Sequence, residues 1–320
     1  WLTRFVCGCR SFCGCNWDHF WLVMAPDSQY HGGMKRCAFL TLDERGDYVI
    51  DDEHAVMPLQ RLGWQVDTLS WRQQEIPWCD FDAVLIRSTW DYWNDVAGFI
   101  ETLEQIDSST KLANPLELVR WNLRKTYLAD LEESGVAIVP TLWVSDPDVD
   151  MLRSCLEQPG LAELVIKPQV GANGDDAFRL SINDADARLE RIANRFRQRD
   201  AMIQPFLPAV QSEGEYSLFF FNSDYSHAIL KIPAGSEFRS QEERGAEVQA
   251  IEPAADLLSA AAAAMAALNV EPLYARVDFV RSADSTPLIM EMELIEPSMY
   301  LRTHPDAPTT FAKAIDQRFQ

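Results

Sequence analysis

Past about residue 34 the chain alternates short apolar runs with amphipathic stretches, the pattern of strands alternating with helices. Arg36 to Thr41, Gln65 to Ser70 and Ala83 to Arg87 read as strands, and Glu53 to Leu62 reads as a helix between the first two. Asn94 is placed to cap a further helix, in which Val96, Phe99, Ile100, Leu103 and Ile106 fall on one face. Strand–helix alternation predicts a parallel α/β sheet whose functional loops lie at the carboxyl ends of its strands. The segment Arg87-Ser88-Thr89-Trp90-Asp91-Tyr92 falls at such an end.

A second unit follows. It has a predicted helix over Asn122 to Ser134, strands over Ala137 to Val144 and Leu164 to Pro168, and the loop Gly171-Ala172-Asn173-Gly174-Asp175. Asn183 is placed to cap its last helix, which runs to about Arg197. A third unit opens at Met202 to Pro205 and is richer in strands: Tyr216 to Asn222, Ser226 to Pro233, Tyr274 to Arg281 and Pro287 to Ile295. A helix over Ala254 to Leu268 interrupts them, and no internal repeat is present.

Residues 1–33 stand apart, with Trp, Cys and Gly but no periodicity, and with Cys7, Cys9, Cys13 and Cys15 among the seven cysteines. Folding is expected to begin near Met34, leaving 1–33 as a disordered extension or a misassigned start. A soft metal on the Cys-Gly-Cys pairs is the competing reading, though one intervening residue is tighter than the usual zinc spacing. An odd cysteine count without a secretory signal predicts reduced thiols and a cytoplasmic location. The longest uncharged apolar run, Leu257 to Val270, is too short to span a bilayer. A net charge of −21, from 28 basic and 49 acidic residues, argues against nucleic-acid and anionic-membrane partners. An anionic substrate then has to meet a local basic pocket, which makes the few Lys and Arg informative.

The richest stretch is an acidic hairpin, Tyr274 to Val280 followed by Leu288 to Leu294. With Ser282 to Ser285 as the turn and Arg281 opposite Thr286, alternation puts Asp278, Glu291 and Glu293 on one face beside Arg276. Three like charges repel unless neutralised, and hard oxygen donors from two strands suit Mg²⁺. A solvated polar face is the alternative. On the cationic side, Lys167 ends one apolar strand and Lys231 interrupts another, positions costly to bury unless an anion is met. Lys125 on a helix is equally well served by solvent, and Arg239 follows in a glycine-containing loop. The loop Gly171 to Asp175 offers backbone amides to a phosphate but matches neither Walker A nor a dinucleotide fingerprint. The five histidines are dispersed, and no nucleophile–His–acid arrangement follows from spacing.

Taken in order, these pieces resemble the ATP-grasp superfamily from roughly Arg87 to the C-terminus. The resemblance is carried by Arg87 to Tyr92, Arg120-Trp121-Asn122, Val165-Ile166-Lys167-Pro168, Gln204 to Pro208, Lys231 to Gly235, Arg239-Ser240-Gln241, Ala275 to Asp278 and Glu291 to Ser298. The pattern fits the glutathione-synthetase-like branch and, within it, the O-ureido-serine cyclo-ligases of cycloserine biosynthesis. It implies an α/β ATP-grasp fold with an N-terminal pre-ATP-grasp parallel-sheet domain. The implied parts are a substrate domain (34–118), a lid (119–200) and a metal-binding subdomain (201–320).

The resemblance also implies roles. Lys125 and Lys167 hold the phosphates of ATP, Gln204, Pro205, Phe206 and Leu207 read adenine, and Glu215 binds the ribose. Asp278, Glu291 and Glu293 match the Mg²⁺ ligands, the third often Asn in this branch, with two ions implied and Mn²⁺ as an alternative. Lys231, Arg239 and Arg276 match the catalytic cations, although glutathione synthetases carry Arg where Lys231 and Ser217 stand here. That departure speaks against a glutathione-type substrate. The implied reaction joins a small-molecule carboxylate to an amine through an acyl-phosphate, without a protein nucleophile. Arg87, Thr89, Asp91, Ser298 and Arg302 are the candidate substrate pocket, since arginine pairs bidentately with carboxylates and Asp91 suits an ammonium. A homodimer is the default assembly. From another class, a non-catalytic ATP-binding regulator would also bind nucleotide but would not need three metal ligands.

Overall fold

The computed structural model describes residues 34–320, so both readings of the cysteine-rich segment lie outside the described residues. The first part runs β1 (Lys35–Thr41), α1 (Glu53–Arg61), β2 (Trp64–Ser70), β3 (Ala83–Ser88), α2 (Val96–Ser109) and β4 (Leu112–Ala113). Its strands form a parallel sheet in the order β2-β1-β3-β4. The apolar runs of β1 and β3 are buried on both sides and therefore need two covers. Helix α2 supplies one, setting Phe99, Leu103 and Ile106 against Leu40 and Ile86. The amino end of α2 is capped by Asp95, not Asn94: the Asp95 carboxylate accepts from the Gly98 amide at 3.0 Å.

The second part runs α3 (Leu116–Asn122), α4 (Tyr127–Glu133), β5 (Leu142–Ser145), α5 (Val149–Leu156), β6 (Glu163–Pro168), β7 (Phe178–Ser181), α6 (Asp186–Arg195) and β8 (Asp200–Pro205). Its antiparallel sheet has the order β5-β8-β6-β7. The helix expected from Asn122 to Ser134 begins only at Tyr127, with Asn122 closing α3 before it, because the Lys125 amide leaves the helical path to donate to the Gln169 carbonyl at 2.8 Å. The strand expected from Ala137 is confined to Leu142–Ser145, since Ile138 bridges instead to Ile289. Helix α6 begins at Asp186, three residues after the expected cap Asn183.

The third part adds α7 (Ala209–Ser212), β9 (Glu215–Phe221), β10 (Asp224–Ile232), β11 (Glu247–Ile251), α8 (Ala255–Ala266), β12 (Tyr274–Arg281), β13 (Pro287–Glu293) and α9 (Ala307–Arg318). The antiparallel order is β11-β10-β9-β12-β13. Met202 to Pro205, expected to open this part, lies in β8 and pairs with both β5 and β6. The last helix, α9, returns to the first sheet, where Phe311 and Ile315 join Phe39, Leu59 and Leu85 in one core.

Polar side chains stitch the first and third sheets together. Asn114 donates to the carbonyls of Tyr274 (2.9 Å) and Leu294 (2.7 Å) and accepts from the Leu273 amide at 2.6 Å. The Tyr274 hydroxyl lies 2.6 Å from the Ile86 carbonyl and 3.1 Å from that of Ile295. These bonds fix the carboxyl end of β3 beside the carboxyl end of β13. A cleft opens there, between the second and third sheets.

Candidate functional site

The hairpin that carries the acidic residues closes with Arg281 opposite Pro287, one residue later than Thr286, which was the expected partner. Uncorrected, that shift would turn Glu291 and Glu293 away from Asp278. A bulge at Met290 cancels it, so Asp278 faces Glu291 and Arg276 faces Glu293. The burial pattern agrees: Ile289 and Met292 both point into the core, with two residues between them where strict alternation has one. The outer edge of β13 is held by side chains from α3 and α4. Asn122 donates to the Met292 carbonyl at 2.8 Å and accepts from the Leu294 amide at 2.9 Å. The Tyr127 hydroxyl accepts from the Met292 amide at 2.8 Å.

Each carboxylate on this face meets a protein cation. Glu291 pairs with Lys125 at 2.7 Å, and Glu293 pairs with Arg276. Asp278 is gripped by Arg276 at 3.0 Å, by Ser217 Oγ at 2.5 Å, and more loosely by Lys231 at 3.7 Å. Lys231 lies directly across the ladder from Glu215, with Nζ 2.5 Å from its carboxylate. Among the described residues no three Asp, Glu, His or Cys side chains converge on a common point. The expected triad thus shares one face, but its members are drawn to separate cations.

The titration behaviour follows from burial set against these pairings. Burial would raise Glu291 and Asp278, yet Lys125 with Lys167 holds the first low, and Arg276 with Lys231 holds the second low. Glu293 is pushed up to about 7 by burial, with Glu291 and Asp278 adding to the effect and Arg276 opposing it. Burial alone would lower Lys125 and Lys231, but their carboxylate neighbours raise both. Lys167 is the exception. It forms no ion pair among the described residues, and burial lowers it. A cation held in the cleft without a partner, above a row of carboxylates, fits an anionic ligand that also brings positive charge.

The remaining lining divides into two ends. At one, Val139, Val210 and Val280 pack with Leu207 and Met290, and Gln204, Pro205, Phe206 and Leu207 run along the wall. Gln204 is fixed by its amide, which donates to Thr141 at 2.9 Å, and Phe206 lies beneath the Arg179 guanidinium at 3.6 Å. At the other end stand Tyr48, Trp90, Tyr92, Arg239, Ser240, Glu296, Ser298 and Tyr300. Arg239 is tied to Glu237 at 2.7 Å, and that contact holds Glu237 down to about 2. The Ser240 hydroxyl and the Gln241 side-chain oxygen Oε1 are buried with no hydrogen-bond partner among the described residues.

The loop Gly171 to Asp175 closes over this end. Lys125 donates to the Gly171 carbonyl at 2.9 Å, and Asn173 reaches the Tyr48 hydroxyl at 2.9 Å and the Trp90 carbonyl at 3.2 Å. Gly174 has φ of +64°, in the left-handed region that favours glycine, and a Cβ there would lie 2.9 Å from Gln241 Oε1 and oblige that side chain to shift.

The expected substrate residues are distributed differently. Ser298 lines the cleft, whereas Arg87, Thr89, Asp91 and Arg302 do not. Arg87 is fully buried, donating to Asp52 at 2.9 Å and to the Pro297 carbonyl at 2.8 Å. Thr89 is fully buried, with its hydroxyl unpartnered among the described residues. Asp91 is held by Arg72 and by Trp71 at 2.7 Å, and Arg302 is held by Asp51 at 2.8 Å and Glu242 at 2.5 Å. Sequence reasoning missed the structural parts played by Asn122 and Tyr127, and it missed Glu296. Asn122 and Glu296 lie inside the Arg120 to Asn122 and Glu291 to Ser298 motifs, which carried the signal. What strand-face alternation could not supply was the orientation of residues just past a strand end.

Comparison with known proteins fits this geometry. Residues 37–114 match the family described as D-cycloserine synthetase DcsG, N-terminal domain, and residues 131–274 match prokaryotic glutathione synthetase, ATP-grasp domain. The cycloserine biosynthesis protein DcsG of Streptomyces lavendulae is 33% identical over 274 residues, 81% of this chain and 90% of that protein. The crystal structure of D-cycloserine synthetase DcsG superposes with a TM-score of 0.77 at 31% identity, over 89% of this chain and 100% of that one. The ATP-grasp ligase PsnB, complexed with minimal precursor, Mg and ADP, has a TM-score of 0.63 at 14% identity, over 89% of this chain and 97% of that one. That second likeness is one of fold alone.

Proposed function

The chain belongs to the ATP-grasp carbon–nitrogen ligases, in the family of D-cycloserine synthetase DcsG, and on that premise we propose that it forms an amide from a small amino-acid-like carboxylate by way of an acyl-phosphate. Ligases of this family use ATP and Mg²⁺ and catalyse ATP-dependent amide-bond formation. The observation that carries the finer reading is the pairing of strand carboxylates with lysines across one cleft, with Lys167 left over. Such a set fits Mg-ATP: the carboxylates supply hard oxygen donors, and the lysines supply charge to phosphate once Glu291 turns to metal and Glu215 to the ribose.

In this proposal Asp278, Glu291 and Glu293 hold the ions, and Lys125, Lys167 and Lys231 hold the phosphates. Two Mg²⁺ ions, or Mn²⁺ in their place, would offset the charge of the β- and γ-phosphates. The apolar end, with Gln204 to Leu207, takes the adenine, and Glu215 takes the ribose after parting from Lys231. A substrate carboxylate oxygen then attacks the γ-phosphorus, and ADP leaves. A nitrogen next attacks the carbonyl carbon, the C–O bond to phosphate breaks, and the nitrogen loses a proton. Arg239 and Arg276 are placed to steady the oxyanion of that second step. The loop Gly171 to Asp175 keeps water from the acyl-phosphate while it lasts.

Of the five expected substrate residues only Ser298 remains a proposed contact; Arg87, Thr89, Asp91 and Arg302 act through the framework. No helix among the described residues is long and apolar enough to cross a membrane, and a cytoplasmic, homodimeric enzyme is proposed on general grounds. The test is Mg-ATP-dependent ADP release on addition of an amino-acid panel that includes O-ureidoserine, with the product identified by mass. ATP binding without ADP release for any member of the panel would favour a regulator over a ligase.

A further inference from the structure

Glu296 is a buried acidic residue of the cleft to which the ligase chemistry gives no use. Glu215, Asp278, Glu291 and Glu293 each meet a protein cation. Glu296 lines the same cleft at 7% exposure, and its carboxylate has no hydrogen bond or ion pair among the described residues. Its backbone is rigidly placed. Leu294 and Ile295 before it are sunk in two cores, its own carbonyl accepts from Trp90 Nε1 at 2.8 Å, and the Pro297 carbonyl accepts from Arg87 at 2.8 Å. The carboxylate is therefore held in the cleft at the junction of the first and third sheets.

A bare carboxylate in such a place is costly unless a ligand brings a donor or a positive charge. The ligase reading already gives the divalent ions to Asp278, Glu291 and Glu293 on the strands, and Glu296, past the end of β13, stands outside that set. A phosphate would be repelled. The surrounding wall is aromatic, with Trp90 and Tyr92 beside it and Tyr48 set edge-on to Trp90 at 5.1 Å. Aromatic faces around one carboxylate suit a compact organic cation.

We propose that Glu296 determines specificity by pairing with the ammonium group of the substrate, so that the enzyme selects amino acids over carboxylic acids that lack the amino group. The inference rests on the ligase reading above. A substrate without the ammonium would leave Glu296 buried and unpaired, which is the arrangement that gives strong discrimination between near-isosteric ligands.

The experiment compares matched pairs. Each amino acid of a panel (the twenty L-amino acids, D-alanine, D-serine and O-ureidoserine) is assayed for ADP release beside the acid lacking its amino group, with the wild-type protein, Glu296→Gln and Glu296→Asp. The wild type is expected to prefer the amino acid by about a hundredfold or more in kcat/KM. Glu296→Gln should bring that ratio close to one, chiefly through KM, while the thermal shift produced by Mg-ATP is retained. Glu296→Asp keeps the charge and should keep most of the preference, and it carries the test should the Gln variant not fold. An undiminished ratio in Glu296→Gln overturns the assignment and leaves the ligase reading standing. A lost Mg-ATP shift in a folded Glu296→Gln protein also overturns it, by placing Glu296 in the nucleotide or metal site. A wild type that releases ADP with no member of the panel removes the ligase reading and this inference with it.

Discussion

Replacing Glu291 by Gln separates a metal ligand from a solvated surface charge. The side chain keeps its shape, and what it loses is one negative charge 2.7 Å from Lys125 Nζ. A charge-assisted hydrogen bond of this kind contributes about 1.5–3 kcal/mol. The net loss should be smaller, near 1–2 kcal/mol, because Lys125 keeps the Gly171 carbonyl at 2.9 Å. Relief of repulsion among Glu291, Glu293 and Asp278 works in the same direction. A domain of this size then loses roughly 2–8 °C in Tm. Turnover should fall much further, by about 10²-fold or more, because a hard anionic ligand has been replaced by a neutral one at the ion that screens the phosphates. The assay pairs ADP release against Mg²⁺ concentration with melting curves recorded with and without Mg-ATP. A fall in activity that saturating Mg²⁺ partly restores supports the account. Unchanged turnover with an unchanged Mg²⁺ dependence would refute the reasoning about the whole acidic face.

Other outcomes follow from the same geometry. Lys167 carries its charge in the cleft without an ion-pair partner among the described residues, so Lys167→Met should raise the Tm of the ligand-free protein by a few degrees while abolishing the stabilisation by Mg-ATP. Arg87→Met should cost about 3–5 kcal/mol, because it strands Asp52 and frees the Pro297 carbonyl. Its remaining folded fraction should show near-normal KM values, whereas a substrate-binding arginine would show a raised one. His227 is packed against Phe219, donates from Nε2 to the Met299 carbonyl at 3.0 Å and faces His304; burial, with His304 acting in the same direction, holds it down to about 4. The unfolded chain binds this proton near pH 6.5, so the stability is fully present above that pH and is lost as pH falls toward 4, by about 3 kcal/mol at most. Urea denaturation at pH 7 and pH 4.5 should show a shallower loss for His227→Gln than for the wild type.

Much of the fold was legible because period-2 and period-3.6 patterns survive in single elements. β1, β3, α2, β9, β12 and α8 lie within a residue or two of their sequence readings. Misreadings came where tertiary contacts override local pattern. Asn122 turns its side chain to the edge of β13 and the Lys125 amide reaches Gln169, which delays the predicted helix to Tyr127 and leaves Asn122 at the end of α3. Ile138 bridges to Ile289, so the chain passes from one sheet to the other within what looked like one strand. Short elements such as β4, β7 and β11 carry too few residues for a period to show.

The site was legible to a different degree at its two ends. Lys125, Lys167, Lys231, Asp278, Glu291 and Glu293 all reach one cleft, because each is a charge set in an apolar strand or at a fixed helix end. The hairpin arrived on the expected face for a reason the sequence did not announce: a late turn and a bulge cancel. The substrate end was harder, since arginine beside a strand terminus looks the same whether it awaits a ligand or, like Arg87, is already held by an internal carboxylate.

The claim at the centre of the account is that the substrate carboxylate is activated as an acyl-phosphate. Its most direct test uses the best substrate of the panel, labelled with ¹⁸O in its carboxylate and turned over with Mg-ATP in ordinary water. If one carboxylate oxygen attacks the γ-phosphorus and later leaves with it, each released inorganic phosphate should carry one ¹⁸O atom. Phosphate free of label, with ADP still formed, would mean that water attacks ATP directly, and would contradict the account.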